Sequence, residues 1–237
     1  MIRIKRPATR LRQAARMDTD VEGMLRTVAA HFSDTARETG CAALSPRIAQ
    51  AMREVPRDRF VPPPRRDLAF ADTPLPIGHG QTISQPFIVA LMTQLLDPQP
   101  GQRVLEVGSG CGYQAAVLAH LAGEVFGVEI VRPLAERARL TLQELGITNA
   151  RIRGGDGYGG WPEEQPFDGI LVTAAGSEVP PPLLQQLRAG ARLVMPVEEA
   201  AGWQELVVVE RRAAGDFLRR RVLAVRFVPL RRDAPQG

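Results

Sequence analysis

Apolar positions recur at two different periods along this chain, and the change of period divides it. Over residues 18–39 they fall at Met24, Leu25, Val28, Ala29 and Phe32, the spacing of one helix face, with Asp18, Thr19 and Asp20 as caps and Gly40 as a stop. Ser45-Pro46 opens a short second helix that ends before Val55-Pro56. Arg57–Gln81 is rich in proline and shows no period, which predicts a long ordered loop or a broken strand segment. A further helical pattern covers Phe87–Leu96 with Pro86 in its first turn. By position alone, Ser84 reads as its N-cap.

From Pro98 onward, short apolar runs alternate with helical patterns. Runs at 104–107, 124–130, 150–153, 167–173 and 192–196 read as strands, with helices at 114–122, 133–145 and 181–187 between them, the last stopped by Gly190. Runs at 205–210 and 222–228 follow with no helix between, so one of them is expected to run antiparallel. Strands alternating with helices predict an α/β fold with a doubly wound, mostly parallel seven-stranded sheet and an N-terminal helical appendage. The expected organisation is a basic arm over 1–17, without fixed structure. Helices and a loop over 18–97 and a core over 98–237 then form one compact unit.

In such a sheet a ligand binds at the carboxyl ends of the strands. The first strand runs into Glu106-Val-Gly-Ser-Gly-Cys-Gly112, a loop with glycines at 108, 110 and 112. Glycine tolerates positive φ and lets a ligand approach the backbone. A dinucleotide fingerprint would need glycine at 113, where Tyr113 stands. A carboxylate at Glu106 would repel a pyrophosphate and suits a ligand with a positive end, such as the ammonium and sulfonium of S-adenosylmethionine. Glu129, near the end of the second strand, is placed to accept ribose hydroxyls. Asp156, after the third strand, could accept from an adenine amino group, although for this residue alone an Asp-Gly turn is the better account.

Charge and rare residues narrow the classes. The net charge is +4, but Arg3, Lys5, Arg6, Arg10, Arg12 and Arg16 fall in an acid-free start, and the rest holds 24 basic against 26 acidic residues. The basic character belongs to a tail, which argues against nucleic acid as partner. There is no apolar run of membrane-spanning length, and the two cysteines, Cys41 and Cys111, suggest no disulfide framework. A cytoplasmic monomer is expected. The three histidines are scattered without metal spacing, and no nucleophile–base constellation or metal site is visible.

Several segments together resemble one family. Val55-Pro-Arg-Asp-Arg-Phe-Val-Pro62, Ala71-Asp-Thr-Pro-Leu-Pro-Ile-Gly-His-Gly-Gln-Thr-Ile-Ser-Gln-Pro86, Val104–Ala119, Gly155-Asp-Gly-Tyr158 and Val225-Arg-Phe-Val-Pro-Leu230 are similar to those of protein-L-isoaspartate O-methyltransferases. The Thr-Ile-Ser-Gln-Pro block is the specific part, since methyltransferases in general share only the glycine loop. The resemblance implies a Rossmann-like class I methyltransferase fold using S-adenosylmethionine. It implies that Ser84 is the active-site serine, with Gln81, Thr82 and Ile83 forming the pocket beside it. Glu106, Gly108, Gly110, Gly112, Glu129, Asp156 and Gly157 would hold the cofactor. The implied reaction methylates the free α-carboxylate of L-isoaspartyl residues in proteins and peptides and starts their repair through a succinimide. The alternatives are an O-methyltransferase acting on an aspartate of a dedicated partner, a non-catalytic binding module, and a nucleic-acid methyltransferase.

Overall fold

The computed structural model of the chain describes residues 8–199 and 202–232. Helix α1 runs Ala8–Asp34, followed by α2 (Ala36–Thr39) and α3 (Pro46–Glu54). Residues 1–7 of the expected arm lie outside the described residues. Residues 8–17, expected in that arm, are instead the first turns of α1. The sequence there, Ala-Thr-Arg-Leu-Arg-Gln-Ala-Ala-Arg-Met, is made almost wholly of strong helix formers. Gly40 ends α2 in the left-handed conformation, φ 73°.

The proline-rich stretch is not one loop. It holds two 3-10 turns, Arg57–Phe60 and Pro63–Leu68, and then an antiparallel hairpin of β1 (Leu75–Gly78) and β2 (Gln81–Ile83). Its turn residues, His79 and Gly80, both have positive φ, 53° and 71°, as a tight hairpin turn that follows the strand twist requires. Helix α4 (Pro86–Leu96) follows.

The main sheet begins with β3 (Arg103–Val107), α5 (Tyr113–Ala119), β4 (Glu124–Glu129), α6 (Arg132–Glu144) and β5 (Ala150–Gly154). It continues with β6 (Phe167–Val172), α7 (Pro181–Gln186), β7 (Leu187–Glu198), β8 (Gln204–Arg211) and β9 (Phe217–Val225). Strand order is β5-β4-β3-β6-β7-β8-β9. The expected antiparallel member is β8, which pairs antiparallel with both β7 and β9. Gly190 does not stop a helix. It lies inside β7 at φ 81°, beside the register shift between β6 and β7, and so marks a bulge.

Alternate side chains of each strand enter different cores. Val104, Val125, Leu171 and Val194 pack with residues of α1, α3, α4, α5 and α6, whereas Leu105, Phe126, Ile170 and Leu193 face the core that holds Leu183 of α7. The chain starts mid-sheet at β3, builds outward to β5, then returns to place β6 on the other side of β3. Two crossovers of opposite direction therefore part above β3 and β6, and a crevice opens at the carboxyl ends of those two strands.

Candidate active site

The turn after β3 lies at that crevice. Gly108, Gly110 and Gly112 all have positive φ, 88°, 54° and 88°, but steric need differs among them. A Cβ on Gly108 would sit 2.6 Å from Thr173 Oγ1 at the end of β6. A Cβ on Gly112 would sit 3.0 Å from the Cβ of Ala138 on α6. The first glycine lets the two central strand ends close together, and the third lets α5 approach α6. An open-mouthed cleft of about 840 Å³, counting solvent at its mouth, lies over this turn.

Of the residues expected to hold a cofactor, Glu106, Gly108, Gly110, Glu129 and Gly157 line this cleft. Gly112 stands one step behind the wall, as the residue that starts α5. Asp156 stands next to Gly157, where its Oδ1 accepts from Tyr158 N at 2.8 Å, so the Asp-Gly turn is present. Its Oδ2 lies 3.9 Å from Arg232 Nε, and that guanidinium also sits 4.0 Å above the Tyr158 ring.

The two buried acids differ in how their charge is met. Glu129 Oε2 accepts from Gly110 N at 2.7 Å, and Oε1 accepts from Val131 N at 2.8 Å. The carboxylate thus ties the glycine turn to the start of α6, and each oxygen keeps one further acceptor site. Glu106 is fully buried, and neither of its oxygens has a hydrogen-bond partner among the described residues. Burial pushes it up to about 8, against the opposing pull of neighbouring Ser109 and with added repulsion from Glu129. A buried, unmet carboxyl facing a cleft is the arrangement a cationic ligand group would satisfy.

One consequence is measurable without a ligand. A carboxyl whose pKa is higher in the folded than in the unfolded chain contributes fully at low pH. That contribution is lost as pH rises towards about 8, at ~1.4 kcal/mol per pH unit. Urea unfolding should therefore show the apoprotein losing roughly 2 kcal/mol more between pH 6 and pH 8 than Glu106→Gln does. Equal pH dependence of the two proteins would mean that Glu106 is ionised throughout.

The hairpin and the start of α4 form the other wall. Gln81, Thr82, Ile83 and Ser84 all line the cleft. Ser84 is not the cap of α4. That place belongs to Gln85, and the cap bond comes from Asp72, whose Oδ1 accepts from Phe87 N at 2.7 Å. Asp72 Oδ2 in turn accepts from Gln85 Nε2 at 3.1 Å and lies 2.8 Å from His31 Nδ1. The Ser84 hydroxyl is left without a partner among the described residues. Its carbonyl accepts from Arg57 Nη2 at 2.6 Å, while Arg57 Nε donates to Ala69 O at 2.8 Å. The Arg57 guanidinium is wholly buried, 4.7 Å from the centre of the Tyr113 ring. Burial holds its pKa below the ordinary arginine value.

A second, open groove of about 1210 Å³ adjoins the cleft. The two share Thr82, Ser84, Ile88, Thr173 and Val228. Thr173 and Val228 line both cavities, and Arg57 and Asp72 brace the wall behind Ser84; the motif reading singled out none of the four. Thr173 follows a strand end beside the crevice, the same signal that marked Glu106. Its Oγ1 donates to Gly108 O. Val228 is brought in by the C-terminal segment, where Ala175 N donates to Val228 O at 2.8 Å and Leu230 N to Ala175 O at 2.7 Å.

Residues 30–234 match the family described as protein-L-isoaspartate(D-aspartate) O-methyltransferase (PCMT). The chain belongs to this family. A protein-L-isoaspartate O-methyltransferase 2 of Polaromonas sp. (strain JS666) is 53% identical over 207 residues, 87% of this chain and 98% of that one. A protein-L-isoaspartate O-methyltransferase of Anaeromyxobacter dehalogenans is 58% identical over 185 residues, 78% of this chain and 88% of that one. Among solved structures, a protein-L-isoaspartate O-methyltransferase superposes with TM-score 0.76 at 30% identity, covering 88% of this chain and 65% of that one. A Plasmodium falciparum protein described as a beta-aspartate methyltransferase (PCMT), in complex with S-adenosyl-L-homocysteine, gives TM-score 0.75 at 26% identity over 92% of this chain and 99% of that one. PCMT enzymes use S-adenosylmethionine, and the cleft fits it: an unmet buried carboxyl for a cationic end, and a carboxylate with spare acceptor sites for a diol.

Proposed function

We propose that the chain transfers the methyl group of S-adenosylmethionine to the free α-carboxylate of L-isoaspartyl residues in damaged proteins and peptides. This is the step that starts their repair. The observation that carries the reading is the position of Ser84, where cleft and groove meet, with its hydroxyl unpartnered among the described residues. S-adenosylmethionine, when bound, supplies an electrophilic methyl group. Glu106 and the Gly108–Gly110 turn would hold its methionine end, Glu129 its ribose, and Asp156 with Gly157 its adenine end.

The chain's own task is positioning. A carboxylate of pKa near 3.5 is ionised at neutral pH, so the acceptor needs no general base. This agrees with a site in which the only cleft-lining acids among the described residues, Glu106 and Glu129, sit on the cofactor side. The Ser84 hydroxyl donates a hydrogen bond to the substrate carboxylate and orients it, with Gln81, Thr82 and Ile83 shaping the pocket. Orientation of this kind lowers the barrier by restricting the reactants beforehand. The resulting ester closes to a succinimide, which reopens in part to normal aspartate. The dedicated-partner alternative has no observation in its favour. The reading includes a monomer working in the cytoplasm, where thiols such as those of Cys41 and Cys111 stay reduced. Among the described residues, no helix is long and apolar enough to cross a membrane.

Ser84→Ala is the test within the site. Turnover of an isoaspartyl peptide should fall about 10–100-fold, the worth of one hydrogen bond to a charged group. Cofactor affinity should stay nearly unchanged, since Asp72, not Ser84, caps α4. Undiminished turnover, or an equal loss of cofactor binding, would remove Ser84 from this role.

A further inference from the structure

We propose that the groove leading to Ser84 selects isoaspartyl segments flanked by acidic residues, through Arg226 and Arg231 on its rim. The inference rests on the isoaspartyl reading and adds a preference that the reading does not contain. One wall of the groove is the continuous stretch Leu223–Val228, which leaves the edge strand β9 and passes the site. Arg226 is the one charged residue among the described residues that line this groove. Arg231 lines the mouth of the neighbouring cleft, its guanidinium 4.0 Å from where a Cβ on Gly80 would stand, at the tip of the β1–β2 hairpin.

Both side chains are exposed, on a backbone pinned between them by the bonds of Val228 and Leu230 to Ala175. Their neighbours in sequence are engaged: Arg219 and Arg221 with Glu199, and Arg232 with Asp156. Arg226 and Arg231 meet no acid within ion-pair distance among the described residues. The acids nearest along the cleft wall, Glu106 and Glu129, are buried at its floor. Among the described residues, the rim therefore presents two uncompensated cations to an incoming peptide. Guanidinium binds carboxylate with two parallel hydrogen bonds, a geometry that favours Asp and Glu over neutral side chains.

Spacing sets which substrate positions are read. Val228 borders both cavities, as Ser84 does. Arg226 stands two residues before Val228, and Arg231 three after it. At ~3.3 Å per residue of extended chain, those offsets correspond to about 7–10 Å. An extended substrate with its isoaspartate at Ser84 would bring side chains two or three residues away to the two arginines.

The experiment compares kcat/KM for four peptides that differ only in these flanks and in the central residue. Three carry isoaspartate with Glu, Gln or Lys at the flanking positions, and the fourth carries ordinary aspartate with Glu flanks. The expected order is Glu above Gln above Lys, with about a tenfold spread between Glu and Lys at low salt, mostly in KM. The spread should shrink at high ionic strength, where exposed charges are screened. The double variant Arg226→Glu/Arg231→Glu should reverse the order. Equal rates for Glu and Lys flanks, or an order unmoved in the double variant, would overturn the preference while leaving isoaspartyl methylation intact. Absence of methylation on all three isoaspartyl peptides would overturn the underlying reading and the preference with it.

Discussion

Glu129→Ala is expected to weaken S-adenosylmethionine binding about a hundredfold, or ~2.7 kcal/mol. The expectation follows from what the carboxylate does before any ligand arrives. It is 5% exposed, and its two oxygens hold Gly110 N and Val131 N at 2.7 and 2.8 Å. Alanine removes both bonds, leaves two amides unmet in the wall of the site and deletes the acceptors proposed for the ribose. Hydrogen bonds to a charged partner are worth about 1.5–3 kcal/mol each, so loss of one net bond to the ligand already reaches the predicted size. Glu129→Gln retains one oxygen and should fall between the two proteins. Titration calorimetry checks the series. Affinity within about threefold of the parent for Glu129→Ala would mean that the ribose is held elsewhere.

Arg57→Ala should be the most destabilising change in the substrate wall. The side chain is 0% exposed and supplies Ala69 O and Ser84 O with their donors at 2.8 and 2.6 Å. Its removal leaves a buried carbonyl at Ala69 and a half-buried one at Ser84 without this donor, and a void beside Tyr113. Together these amount to about 3–5 kcal/mol. For a chain of this length, that lowers Tm by roughly 10 °C. Calorimetry should show the drop, and peptide turnover should fall as well, because the Ser84 backbone loses its anchor. A Tm within about 2 °C of the parent would show that solvent meets both carbonyls at little cost.

Much of this architecture is legible in the sequence because it is encoded by short-range periodicity. The strand-and-helix alternation from Val104 to Pro196 depends on side-chain pattern alone, and the elements lie within a few residues of where the pattern puts them. Glu106 and Glu129 are legible for the same reason, since the end of a strand in such a sheet is already a location. The residues that escaped are placed by contacts distant in sequence. Asp72 caps α4 from 15 residues upstream of Phe87, so a cap sought next to the helix falls wrongly on Ser84. Arg57–Gln81 shows no period because two 3-10 turns and a short hairpin are held by buried Arg57, by Asp72 and by positive φ at His79 and Gly80. Thr173 and Val228 enter the site only because β6 returns beside β3 and the C-terminal segment crosses over Ala175. Gly112 carries the motif's spacing, yet its closest approach is to Ala138 rather than to the cleft.

The central claim is chemical: the acceptor is the α-carboxylate that an isoaspartyl linkage sets free. The most direct measurement incubates the protein with S-adenosylmethionine labelled in its methyl group and two peptides that differ only in isoaspartate against aspartate. The account predicts base-labile label on the isoaspartyl peptide alone. Label on neither peptide while cofactor binding is intact, or equal label on both, would contradict it.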